Sequence, residues 1–322
     1  MTTLFTGDTG LFRQFVSVNR NFTMADVLPS LQATAETLLP RFLGDELADQ
    51  ITSRADNPLP ENPTADDLIL NKALFWTRSI VAKLGFATNL IFSELQIDND
   101  GITVSANEGR RAAFDYQTKE LKRTLQEQGW QALDELLKLI SKNPALFPGW
   151  EDSPYYTQYQ NALFGNPVEF SKYYPIQDRW LTYWALIPFM ADVADRMGEP
   201  ALARIEALPN TVNETVRGKL KRSLLRALAY EVMIQAVPGL SIEVVGANVQ
   251  LNYASQYGGK ESYYTPPGRE LLDWVLGNLK GQVAVFWENF ENAIAVLEPS
   301  TDPDLSDDAL GLIDSEGPFV MI

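Results

Sequence analysis

Along most of this chain apolar residues recur three and four positions apart, the spacing that places side chains on one face of an α-helix. The run "TMADVLPSLQATAETLLPRFLGDELADQI" predicts a helix begun near Thr23 or Ser30. Leu31, Ala35, Leu38 and Leu39 share its face, Pro40 predicts a kink or break, and Gly44 the stop. A Pro-rich loop follows. "DDLILNKALFWTRSIVAKLGFATNLIF" keeps helical spacing through Ile69, Ala73, Trp76, Ile80, Val81 and Leu84, with Asp66 and Asp67 suited to its N-terminus. "YQTKELKRTLQEQGWQALDELLKLI" predicts a third long helix with Leu121, Leu125, Ala132, Leu133, Leu136, Leu137 and Ile140 on its apolar side.

Between these two long helices the period changes. "ELQIDNDGITVSA" alternates apolar and polar residues on either side of Asn-Asp-Gly, and Gly tolerates the positive φ of a tight turn. This predicts a β-hairpin over 94–105.

The second half repeats the order. "RWLTYWALIPFMADVADRMGEPALARI" reads as a helix ending near Gly198, as the first ends near Gly44. "VRGKLKRSLLRALAYEVMIQAV" takes the place of the second helix, and "LSIEVVGANVQLNYA" predicts another hairpin over 241–253. Leu95, Ile97, Ile102 and Val104 align with Ile242, Val244, Val249 and Leu251 at a constant offset of 147 positions. "GRELLDWVLGNLKGQVAVFWENFENAIAVL" matches the third helix at an offset of 150. Order-preserving self-similarity of this kind is the trace of duplication. The fold class expected is therefore mainly α, a tandem duplication of a helical-bundle domain in which each copy carries a protruding β-hairpin. The expected division is a first repeat over 1–142, a connector rich in Pro, Gly and aromatic residues over 143–178, a second repeat over 179–297, and an acidic tail over 298–322.

Composition fits such a plan and narrows its chemistry. With 322 residues, 45% hydrophobic and 11% aromatic, the chain can fill two ordinary cores. The connector is too aromatic for a disordered linker, so Trp150, Tyr155, Tyr156, Phe164, Tyr173 and Tyr174 are expected to pack. Trp76, Trp130, Trp180, Trp184, Trp274 and Trp287 lie mostly within apolar stripes, for which core packing is the default and an assembly interface the alternative.

A formal charge of −16 opposes general binding to nucleic acid or anionic membranes. The most basic run, "GKLKRSLLRALAY", places Lys219, Arg222 and Arg226 beside an apolar stripe and reads as a solvated helix face. No secretory pattern opens the chain, and Pro188, Asp192 and Asp195 interrupt its richest apolar stretch short of the ~20 residues a bilayer span needs. A soluble protein without membrane contact is expected.

The chain has no Cys and no His. That excludes thiolate nucleophiles, Cys-ligated zinc, the Ser-His pairing and the usual base near neutral pH. "DNDG" begins like a calcium loop, but Glu108 misses its twelfth position and the flanks read as strands. Gly258 and Gly259 before Lys260 lack the following Ser or Thr and the preceding strand of a phosphate loop. No catalytic residue, cofactor or metal site is expected, and no enzyme.

What remains is contact surface. Exposed hairpins can add strands to a neighbour's sheet edge, so Asp98, Asn99, Asp100 and Gly101 at one turn and Gly246, Ala247 and Asn248 at the other are candidate partner-binding residues. The tail contains Glu298, Asp302, Asp304, Asp307, Asp308, Asp314 and Glu316 with no Lys or Arg, then the apolar Phe319, Val320, Met321 and Ile322. These last four are expected to dock across a subunit boundary.

The order "RFLG", Pro-rich loop, "LILNKALFWTRSIVAKLG", "IDNDGITV", "KELKRTLQEQGWQALDELLKLI" resembles an uncharacterised family encoded among tailed-bacteriophage and prophage structural genes. More distantly, it resembles the helical head-to-tail connector, or adaptor, proteins that form a ring beneath the portal. The resemblance is best over Leu28 to Ile140. It implies a virion neck protein, assembled in the host cytoplasm, that contacts itself, the portal protein and a tail or further adaptor protein while DNA passes without specific binding. The ring it implies has about twelve copies, or about six because of the duplication. Other tail-completion or baseplate roles, and a carboxylate-dependent hydrolase, are the alternatives.

Overall fold

In the computed structural model the residues described are 4–5, 7, 9–19, 22–57, 59–98, 101–104, 115–153, 156, 162–240 and 269–298. They are mainly helical. Those up to Ile187 form one compact unit, and those over Pro188–Gly239 and 269–298 belong to a second.

The first unit starts with α1 (Thr9–Arg13), whose Phe12 is fully buried between the rings of Phe5, Phe22 and Phe86. Helix α2 (Leu28–Leu43) begins between the two expected starts, with Pro29 in its first turn, where a missing N–H costs nothing. Instead of breaking at Pro40, the helix continues to Leu43. It ends where Gly44 takes φ 79°, a conformation that favours glycine, and Gly44 N–H closes the turn on Pro40 O at 2.9 Å. Helix α3 (Asp45–Ser53) follows at once.

A reciprocal cap starts α4 (Ala65–Glu94). Thr64 Oγ1 accepts from Asp67 N–H at 3.1 Å while Asp67 Oδ2 accepts from Thr64 N–H at 3.2 Å. The Thr64 bonds and the Arg54 guanidinium hold the Asp67 carboxyl below its ordinary range. α4 packs on both α2 and α5 (Asp115–Lys142), so it is apolar on two sides, with Ala73, Leu74, Ile80, Val81, Leu84 and Ala87 buried. Two glycines set these distances. A Cβ on Gly85 would lie 2.8 Å from Leu31 Cδ2 and 3.0 Å from Leu31 Cα of α2, and one on Gly129 of α5 would lie 2.6 Å from Leu84 Cγ. Gly85→Leu is expected to force α2 off α4 and cost about 3 kcal/mol, because Leu31 Cα cannot turn aside as a side chain can. Chemical denaturation would measure it, and a loss below about 1 kcal/mol would contradict the close approach.

On α5 the expected apolar side is buried from Leu125 to Ile140, but Leu121 is 47% exposed. The 143–178 segment is part of the first unit. Its Phe147, Trp150, Phe164 and Phe170 are fully buried, and it includes the short helix α6 (Pro167–Ser171), capped by Asn166 Oδ1 accepting from Glu169 N–H at 2.9 Å.

Helix α7 (Trp180–Val193) crosses the boundary between the units. The stop expected near Gly198 is not there. The backbone widens into a π-helical turn over Ala194–Gly198, Gly198 keeps a helical φ of −67°, and α8 (Glu199–Glu206) continues directly. Pro200, which has no N–H to give, follows the widened turn. Gly44 and Gly198, paired by the sequence, thus differ in backbone. The second unit is completed by α9 (Glu214–Leu240) and α10 (Arg269–Ala295), which meet where Phe286 packs edge-on to Tyr230 at 5.1 Å. Trp274 of α10 is 66% exposed, against the core position expected of it, because its side of the helix has no described neighbour.

Candidate functional site

The long helical pair ends in a ribbon. α4 passes at Glu94 directly into β1 (Leu95–Asp98), which pairs antiparallel with β2 (Gly101–Val104). The register sets Leu95 against Val104, Ile97 against Ile102 and Asp98 against Gly101. Leu95, Ile97, Ile102 and Val104 therefore share one face of the ribbon, as period two requires. The ribbon has only two strands, so each strand has one paired edge among the described residues and one that is not. Asp98 and Gly101 close its tip. Asn99, Asp100, Gly246, Ala247, Asn248 and Phe319 to Ile322 lie outside the described residues, as does the hairpin expected over 241–253.

Thirty residues of α4 at 1.5 Å each reach about 45 Å, so the ribbon stands a helix length from the capped start at Thr64. A chain of rings ties α5 to α2 and α7 within the unit. Phe42 of α2 stacks on Trp184 of α7 at 5.7 Å and 12° and meets Trp130 of α5 edge-on at 6.1 Å, while Trp150 packs against both Trp184 and Tyr156.

One anchor has no sequence signature. Asp134 of α5 reaches the start of α7, where its Oδ1 accepts from Leu181 N–H at 3.0 Å. It caps a helix from 47 residues away. Burial raises its pKa to about 6 against the hydrogen bonds from Leu181 and Trp180 and the nearby Arg179 charge, which act to lower it.

Nearby, a cleft of about 340 Å³ is lined by Lys138, Lys142, Lys172, Asn166, Glu169 and Trp180, among others. Its volume is at the small end for a ligand site. Glu169 Oε2 already accepts from Gly165 N–H at 3.0 Å, and the hydroxyl of Ser141 donates to Lys138 O at 3.1 Å. No nucleophile is paired with a base there. Among the described residues no group of three or more acidic side chains could hold a metal ion.

In the second unit Arg204 of α8 grips two carboxylates at once. Its Nε and Nη2 donate to Glu298 at 2.8 and 3.1 Å, and its Nη1 donates to both oxygens of Glu291 at 2.8 and 2.9 Å. The guanidinium lowers the Glu298 pKa, and the two carboxylates raise that of Arg204. Neither Asp134 nor Arg204 could be found from spacing, because each meets its partners only after the helices pack.

A family of unknown function, DUF6712, matches residues 39–160. No curated protein and no solved structure matches the chain. The matched span is less than half of the chain, and it runs from the last turn of α2 through α3, α4, the ribbon and α5 to beyond Trp150. It thus contains the ribbon and its two long helices together with four of the five rings just named, Phe42, Trp130, Trp150 and Tyr156.

No described helix is long and apolar enough to cross a membrane.

Proposed function

We propose that this chain is a structural assembly protein of a tailed-bacteriophage virion, a head-to-tail connector whose copies form a ring between portal and tail. The observation that carries the reading is the ribbon at the far end of the α4–α5 pair. A strand edge with no partner among the described residues, at the end of a long helical pair, suits strand addition to a neighbouring subunit. Exposed apolar side chains on and just after α10, Trp274, Val285 and Val296, add surface that a partner would cover.

The acidic balance fits a channel wall that lets DNA slide, since fixed negative charge repels phosphate. Duplication is the finer part of the proposal. It is supported by the 147-position offset and by the two similar pairs of long helices, α4 with α5 and α9 with α10. The different backbones of Gly44 and Gly198 do not add to that support.

Light scattering of the purified chain tests the ring. Twelve copies of a 36.0 kDa chain give about 430 kDa, and six about 220 kDa. Replacing Leu95–Val104 by a Gly-Ser linker of equal length is expected to leave the helix content and melting of the first unit intact and reduce the mass to that of the monomer. A wild-type chain that stays monomeric at millimolar concentration and beside its portal would end the proposal. An unchanged ring in the linker variant would remove the ribbon from it.

A further inference from the structure

The basic run lies on α9. Between Thr215 and Tyr230 this helix of an acidic protein carries Arg217, Lys219, Lys221, Arg222 and Arg226 and no Asp or Glu. Lys219, Arg222 and Arg226 are exposed and, at i, i+3 and i+7, share one face. Arg226 rests over the Phe286 ring of α10 at 5.6 Å, and Arg222 Nε donates to Gly218 O at 3.2 Å, so two of the three cations are held along the helix rather than thrown outward.

The position of the stripe within the second unit suggests its occupant. Arg217, at the start of α9, donates to the carbonyl of Ile205 in the last turn of α8 at 2.6 Å and to that of Pro209 just past it at 3.0 Å. Arg204 of α8 grips Glu298, just past α10. The start of α9 and the exit from α10 are therefore both tied to the end of α8, and α9 and α10 meet again at Arg226 and Phe286. From Lys219 to Arg226 the stripe runs about 10 Å. The chain leaving Glu298 carries Asp302, Asp304, Asp307, Asp308, Asp314 and Glu316 without one cation. Ten residues beyond Glu298 can span up to about 35 Å, more than enough to follow the stripe.

We propose that the Lys219–Arg222–Arg226 face of α9 is the docking surface for this chain's own acidic segment Asp302–Glu316, bound within the same copy from the Arg204-held end of α10. The pairing gives the carboxylates counter-charges and keeps the stripe from other polyanions, DNA among them. It does not depend on the ring.

The chain has no Cys, so Ser306→Cys in the full chain takes a single fluorophore. Quenching by acrylamide, a neutral probe, then reads shielding. The label is expected to be at least threefold less quenched than on a free peptide of residues 299–322. Shielding should disappear in the triple variant K219E/R222E/R226E and at 0.5 M salt, where screening shortens to about 4 Å. Adding Asp304→Lys, Asp307→Lys and Asp308→Lys to the triple variant should restore it, and this exchange also shows that the triple variant still folds. Shielding indifferent to charge reversal, or not restored by the exchange, overturns the proposal. Loss of shielding on dilution to nanomolar would place the segment on a neighbouring copy, and its loss to equimolar duplex DNA would give the stripe to nucleic acid. Either result overturns it too.

Discussion

Trp150→Ala is expected to cost the first unit about 3 to 5 kcal/mol, the range for removing a fully buried large aromatic side chain. The indole is 0% exposed. It sits in a single tight turn, Pro148–Trp150, yet its ring meets those of Tyr156 and Trp184, and Trp184 stacks on Phe42 of α2. Truncation would open a cavity among elements far apart in sequence, and a turn fixed by Trp150 N–H donating to Phe147 O at 2.9 Å has little freedom to collapse into it. Trp150→Phe keeps a ring and should recover more than half of the loss. Calorimetry can follow the first unit's transition. A Trp150→Ala chain melting within about 1 kcal/mol of wild type would show that the turn merely lies over a core complete without it.

This turn also shows what could be read from sequence. Between Ser141 and Asp178 the absence of a period and the density of aromatic residues require an ordered, packed connector, because a chain so rich in rings gains too much by burying them to stay in water. Which surface the rings would meet depends on how α2, α5 and α7 come together, and no local pattern encodes that. The long helices were legible for the opposite reason, since their period is repeated over 27 to 30 residues. Where the period alone decided, it also misled. Leu121 and Trp274 fall on apolar stripes but face outward, since a stripe is covered only where another helix lies alongside.

The candidate surfaces divide in the same way. β1 and β2 follow from alternation around Asn-Asp-Gly, a short-range signal. The basic stripe of α9 is equally visible as a pattern, but its position beside the exit of α10 follows from two long-range arginine contacts, those of Arg204 and Arg217. Gly85 and Gly129 carry the same lesson. In sequence each is a weak point of a helix, and only the approach of Leu31 or Leu84 shows why a side chain is missing there.

Asp134→Asn is expected to change how stability depends on pH. In the folded chain the Asp134 pKa is raised to about 6 from an ordinary 3.8, with burial as the largest cause. Below pH 3.8 the carboxyl is protonated whether the chain is folded or not. Between pH 3.8 and 6 the folded chain keeps a proton that the unfolded chain has released, so stability falls as pH rises through this window and levels off above it. The gap corresponds to about 3 kcal/mol, as an order of magnitude. An amide keeps the acceptor that Leu181 N–H needs and carries no charge to desolvate. The variant should therefore gain on wild type by about 2 kcal/mol between pH 4 and pH 7, and comparing the two chains cancels every other titrating group. Asp134→Ala should differ from both. It strips the start of α7 of its acceptor and costs about 1 to 2 kcal/mol relative to Asp134→Asn at every pH, since neither variant has a carboxyl to titrate. Urea unfolding of the three chains at pH 4, 5, 6 and 7 would read both effects, and parallel curves for wild type and Asp134→Asn would mean that solvent reaches the carboxylate at the α5–α7 junction.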